Sequence, residues 1–112
     1  MKYYSLSNPK EKTSFANAVV NGIAPDRGLY FPEEIPQLAA AFIKELPQLS
    51  IPEIAYTAMA PYVGDEIPKA VLEEILKNTL DFDFPVVPVT ENIGSLELFH
   101  GPTLAFKDVG AR

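Results

Sequence analysis

Eleven prolines in 112 residues set the scale of anything this chain can build. Proline fixes φ, lacks an amide hydrogen and biases the residue before it away from helix. Its recurrence at Pro9, Pro32, Pro47, Pro52, Pro61, Pro68, Pro85 and Pro88 keeps helices and strands short and marks their boundaries. The prolines form no polyproline ligand motif. No internal repeat and no low-complexity tract accompanies them.

Between these breaks the local signals are specific. Residues 2–6 are aromatic-rich and suit an edge strand, and Asn8-Pro9 reads as a turn. Thr13 or Ser14 can cap a helix through residues 16–21, which Gly22 stops. Phe15, Ala18 and Val19 would share one face of it. GLYF, residues 28–31, reads as a second short strand ended by Pro32, and residues 38–46 as a helix before Pro47. Ser50 and Glu53 fit an S-x-x-E capping box, with Pro52 in the first turn. The helix that follows should turn Ile54, Ala55, Ala58, Met59 and Tyr62 inward, with Pro61 disturbing its last turn. Residues 68–80 carry the clearest helical period. Val71, Leu72, Ile75, Leu76 and Leu80 recur on one stripe, with Lys69, Glu73, Glu74, Lys77 and Asn78 opposite. Glu73 and Lys77 stand four apart in the favourable order for a surface pair.

Beyond this helix the character changes. DFDFPVVPVTENIGSLELFHG reads as linker, then extended chain. Residues 86–89 are β-branched but broken by Pro85 and Pro88, residues 92–95 read as a turn, and residues 96–99 as a strand. Gly101-Pro102 turns again, and Thr103 can cap a helix starting near Leu104. That helix would run for about two turns, too few to stand alone, so the sequence reads as truncated.

Charge and residue types narrow the chemistry. The formal net charge is −6 with no basic cluster, which disfavours nucleic acid and anionic membrane surfaces. With no cysteine and one histidine, no metal site of the cysteine or multi-histidine kind can form. The hydrophobic fraction of 47% suits a packed core, and no apolar run approaches the roughly 18 residues of a membrane span. The N-terminus lacks the apolar segment of a secretory signal, so the cytoplasm is the expected compartment. The six glycines are dispersed, so no glycine-rich phosphate cradle is present.

The segment LELFHGPTLAFKD holds the chemistry that remains. Lys107 follows Leu104-Ala105-Phe106, and two readings of it stand. It is a surface lysine whose stem covers apolar neighbours, or a nucleophilic amine favoured by apolar surroundings and a helix N-terminus. The second suits condensation with a phosphorylated aldehyde cofactor. His100 reads as a turn hydrogen-bonder or a general base. Asp108 reads as an ordinary first-turn carboxylate, a partner for a cation, or a group that holds local structure.

LELFHGPTLAFKDVGAR, with TSFANAVVNGIAPDRGLYFP and YVGDEIP upstream in the same order, resembles the N-terminal region of the threonine synthases of the bacterial and fungal type. The resemblance runs from residue 2 to residue 112. Val109 departs from the Phe expected after Lys-Asp, a modest apolar change. The resemblance implies an α/β fold of the fold-type II PLP enzymes (tryptophan synthase β-like). It implies a mainly helical N-terminal subdomain with short strands over residues 1–84, and the opening of the PLP-binding catalytic domain over residues 85–112. Lys107 matches the lysine that holds pyridoxal 5'-phosphate (PLP), and Phe106 is a neighbour of the cofactor ring. The implied enzyme is a PLP-dependent carbon-oxygen lyase acting on phosphate. It converts O-phospho-L-homoserine and water to L-threonine and phosphate. Phosphate leaves from Cγ and water adds at Cβ. His100, Thr103 and Arg112 match positions near the site, without individual roles.

Two other readings remain at this point: a non-catalytic helical module that binds a partner, and a related PLP-dependent lyase or dehydratase. The fragment alone is expected to be inactive and to hold PLP weakly or not at all. Leu96, Leu98, Phe99, Leu104 and Phe106 are expected to lack packing partners within it, and so to be disordered or to meet a second copy.

Overall fold

A computed structural model of the chain describes residues 1–110. It divides into two compact units, Met1–Glu73 and the residues from Glu74 onward.

The first unit begins with a three-stranded antiparallel sheet ordered β2-β1-β3, where β1 is Tyr3–Ser5, β2 Asn8–Thr13 and β3 Tyr30–Pro32. Tyr3 pairs with Thr13 on one side and Pro32 on the other, so β1 is the central strand and not an edge. Its alternation explains that place: Tyr3 and Ser5 are buried, while Tyr4 lies on the other face beside Phe31 and under the Lys12 ammonium. The turn of the first hairpin falls at Leu6-Ser7, and Asn8-Pro9 opens a strand. β2 reads NPKEKT because four of its six residues are exposed, which leaves no apolar alternation to mark it as a strand. As an edge strand it tolerates Pro9.

Ser14 caps α1, Phe15–Asn21, accepting the Asn17 N–H at 3.1 Å, and Gly22 ends it at φ 68°. Ala18 is its buried residue, and Val19 faces solvent instead of sharing that face. Two more amides at the helix start, those of Phe15 and Ala16, donate to the two Glu66 oxygens at 2.9 Å each. Glu66 lies 50 residues away in YVGDEIP, so one carboxylate ties the start of α1 to the 3₁₀ turn at Gly64–Glu66. The Ala16 and Phe15 amides hold its carboxyl below the usual glutamate value. A lowered folded pKa means that the tether stabilises the fold above the unfolded-state pKa. That contribution is lost as pH falls through the folded value. Thermal melts should show a midpoint that falls on acidification below the ordinary glutamate range, and Glu66→Gln should make that fall shallower. An unchanged slope in the variant would contradict the tether.

α2, Ala40–Glu45, is short and buries nothing, and a 3₁₀ turn at Leu46–Gln48 takes up Pro47. The capping box forms as expected. The Glu53 carboxylate accepts the Ser50 N–H at 2.8 Å and its hydroxyl at 2.6 Å. α3, Ile51–Val63, continues through Pro61 to Val63, which is only 1% exposed. Ile54, Ala55, Ala58 and Tyr62 are half-buried, whereas Met59 faces solvent. Burial concentrates at the C-terminal end of α3, where the Tyr3 hydroxyl donates to the Tyr62 carbonyl at 2.9 Å. This satisfies one of the carbonyls that every helix leaves unpaired in its last turn.

α4, Lys69–Thr79, buries Leu72 and Leu76 from the expected stripe, while Val71 and Ile75 stay exposed. Glu73 pairs with Lys69 at 3.6 Å, not with Lys77. In the second unit, β4 (Val86–Thr90) and β5 (Ile93–Leu96) form an antiparallel hairpin in which every residue is exposed. The turn is Glu91-Asn92, and residues 93–96 form the strand; the turn expected at 92–95 and the strand expected at 96–99 are displaced accordingly. Pro88 is admitted because a two-stranded ladder leaves each strand one unpaired side. Mixed short strands and helices bear out the α/β reading. Among the described residues no helix is long and apolar enough to cross a membrane.

Candidate functional site

The segment after β5 is built from turns. Gly101 to Leu104 closes a turn through Leu104 N–H to Gly101 O at 3.0 Å. Leu104 then adopts φ 58°, a left-handed conformation that costs a non-glycine residue about 1–2 kcal/mol. A 3₁₀ turn follows over Phe106–Val109. The helix therefore starts two residues later than the sequence suggests, and Thr103 is not its N-cap. The left-handed Leu104 breaks the continuity that capping would need.

Thr103 has a different partner. Its N–H and its Oγ1 both donate to Asp108 Oδ2, each at 2.8 Å. Asp108 is buried, and it packs so closely on Gly101 that a Cβ there would sit 2.5 Å from the Asp108 Cβ and 2.6 Å from Oδ2. Gly101 is thus glycine because the carboxylate occupies the space of its side chain. Of the open readings of Asp108, the structural one holds.

Lys107 and Phe106 point the other way. Both are exposed, Phe106 at 71%, and with Leu98, Val109 and Gly110 they line an open, mainly apolar depression of about 360 Å³. Leu104 is 75% exposed, so the apolar flank of Lys107 does not enclose it. Among the described residues Lys107 makes no ion pair. His100 stacks on Phe99 with ring centroids 4.8 Å apart, and its Nε2 lies 2.7 Å from Glu97 Oε2. This is the local hydrogen bonding that its turn position suggests. Glu97 was not legible as its partner, although the i,i+3 spacing was available as a signal. Arg112 lies outside the described residues. Leu96, Phe99, Leu104 and Phe106 are exposed as expected, and Leu98 is half-buried. Among the described residues no group of three or more His, Cys, Asp or Glu side chains could hold a metal ion.

The site thus presents one accessible primary amine beside an aromatic ring, on a loop fixed from behind by a buried carboxylate. Such an arrangement can condense with an aldehyde and seat an aromatic ring next to the amine.

Comparison with known proteins gives this chemistry a context. Residues 2–80 match the family model described as threonine synthase N terminus. The chain is 42% identical over 112 residues to a threonine synthase from Escherichia coli, covering all of this chain and 26% of the relative. It is 45% identical over 112 residues to one from Haemophilus influenzae, again covering 26% of the relative. The crystal structure of the Escherichia coli threonine synthase superposes with TM-score 0.89, covering 96% of this chain and 25% of the other. A PLP-bound threonine synthase from Brucella melitensis gives TM-score 0.88 at 41% identity, covering 97% and 25%. The chain therefore spans about a quarter of the length of the relatives it matches, and its fold is that of the N-terminal region of fold-type II PLP enzymes.

Proposed function

This chain belongs to the threonine synthase family, and from that premise we propose that it supplies the lysine-bearing part of an enzyme making L-threonine and phosphate from O-phospho-L-homoserine and water. One observation supports the reading above others. Along a chain similar to threonine synthases from end to end, Lys107 offers an exposed amine at the edge of an apolar depression. The domain division proposed with it, 1–84 and 85–112, draws support from the family match ending at residue 80. The reaction class, a carbon-oxygen lyase acting on phosphate, and the cytoplasm as its compartment belong to the same proposal.

The residues present fit the aldehyde end of PLP. Lys107 supplies the amine, and Phe106, Leu98 and Val109 supply apolar surface for a ring. When bound, the cofactor supplies an electron sink for the substrate's carbon atoms. In this reading Lys107 Nζ holds the cofactor and moves protons once the substrate has taken its place. Phe106 orients the ring. The phosphate end finds no glycine-rich loop, because the six glycines are dispersed from Gly22 to Gly110. Catalysis needs an oriented cofactor and a site closed to water, and an exposed Lys107 has neither. The purified 112-residue chain with PLP should therefore release no threonine from phosphohomoserine above background. Measurable threonine release would overturn that part of the proposal. The exposed Leu96, Phe99, Leu104 and Phe106 support self-association as the chain's second kind of contact, besides its small-molecule substrate.

A further inference from the structure

We propose that Asp108 is a positioning residue: its carboxylate clamps the loop over residues 101–108 and thereby fixes where Lys107 presents its amine. The inference rests on the reading of Lys107 as the cofactor lysine, and it gives a role to a buried charge that the chemistry itself does not use.

The geometry has three parts. Asp108 Oδ2 accepts both hydrogen bonds that Thr103 can donate, at 2.8 Å each, across five residues. One oxygen thus secures the turn at two points. Gly101 lets the carboxylate approach the backbone, since any side chain there would collide with it. Leu104 is held at φ 58°, a conformation that persists only where the surroundings impose it. The clamp spans this strained residue, with Thr103 before it and Asp108 after it.

The consequence for Lys107 follows from the tight turn. The Asp108 N–H bonds Ala105 O at 3.1 Å and the Gly110 N–H bonds Lys107 O at 3.1 Å, so the backbone on both sides of Lys107 is fixed. With Asp108 anchored inward, Phe106 and Lys107 face outward onto the depression they share with Leu98. The Asp108 carboxylate is engaged by Thr103 and makes no ion pair with the adjacent Lys107 among the described residues. An ion pair would favour the ammonium and oppose the attack on an aldehyde.

The test uses the 112-residue chain, PLP and borohydride trapping, with the rate of pyridoxyl incorporation at Lys107 measured against Lys77 in the same molecule. Amide exchange at Thr103 is followed in parallel, on the wild type, Asp108→Ala and Asp108→Asn. In the wild type the Thr103 amide should exchange slowly, and Lys107 should label on the order of tenfold faster than Lys77. In Asp108→Ala both features should be lost, with Lys107 labelling at about the rate of Lys77. Asp108→Asn keeps an acceptor oxygen in place and should restore both, which a nonspecific loss of structure would not predict. Rapid labelling of Lys107 that survives in Asp108→Ala overturns the positioning role and leaves the cofactor reading intact. A wild type in which Lys107 shows no preference overturns the positioning role, whereas the cofactor reading is decided separately by pyridoxyl mapping in a chimera with the full-length relative. Fast exchange of the wild-type Thr103 amide overturns the clamp itself.

Discussion

Replacing Lys107 with alanine is expected to abolish threonine formation in a chimera where this chain takes the place of the matching quarter of the Escherichia coli relative. The expected loss is on the order of a thousandfold or more in kcat, because in the proposed function the lysine both holds the cofactor and transfers protons. The graft is reasonable at 42% identity and TM-score 0.89. Lys107→Arg is the informative companion. Arginine keeps the positive charge and the reach, but its guanidinium does not deprotonate near neutral pH and cannot attack an aldehyde. Both variants should therefore fail to a similar degree, whereas a merely electrostatic role would spare the arginine. The unmodified chimera is the reference, and equal turnover in the reference and in Lys107→Ala would sink the assignment.

The largest stability effect should come from Val63→Ala. Val63 is the described residue with the most completely buried large side chain, at 1% exposure, and it closes α3 against a core of few members. The other buried apolar residues of the first unit are Tyr3, Ala18, Ala24 and Leu72, of which two are alanines with little volume to rearrange into a gap. Removing two methyl groups there should cost about 2 kcal/mol, combining lost transfer free energy with a residual cavity. In a domain of this size that lowers the melting midpoint by roughly 10 °C. Val20→Ala is the control, since Val20 is 85% exposed and its truncation should change stability by less than about 0.5 kcal/mol. Circular-dichroism melts of the three proteins decide the matter. Equal midpoints for the two variants would contradict the placement of the core at the end of α3.

How much of the fold is legible in the residues varies with the range of the interaction. Ser14 and Gly22 delimit α1, and Ser50 with Glu53 opens α3, because caps are local and their geometry follows from spacing. The period of α4 identifies Leu72 and Leu76, although it does not separate them from Val71 and Ile75, which solvent reaches. β2 is illegible because an exposed edge strand needs no apolar pattern. Val63 lies four residues after Met59, so the helical period reaches it, but period alone does not mark it as the most buried member of the stripe. Its burial belongs to the end of the helix, where Tyr3 arrives from the far N-terminus to bond the Tyr62 carbonyl.

The candidate site divides in the same way. Resemblance to the family points to Lys107 and Phe106, and both lie on one exposed depression. The sequence gives no hint that the apolar flank leaves the amine in the open, since Leu104 and Phe106 turn outward. The Thr103–Asp108 contact is invisible in the residues because a cap and a clamp use the same residue types. Only the left-handed Leu104 between them decides which one forms. Glu66 is the analogous case in the first unit, a carboxylate whose partners lie fifty residues away.

The proposed function stands on Lys107 as the point of cofactor attachment. Borohydride reduction of the PLP-loaded chimera, followed by peptide mapping, tests it most directly. A pyridoxyl group on Lys107 is the expected result. A pyridoxyl group on another lysine, with Lys107 unmodified, would contradict it.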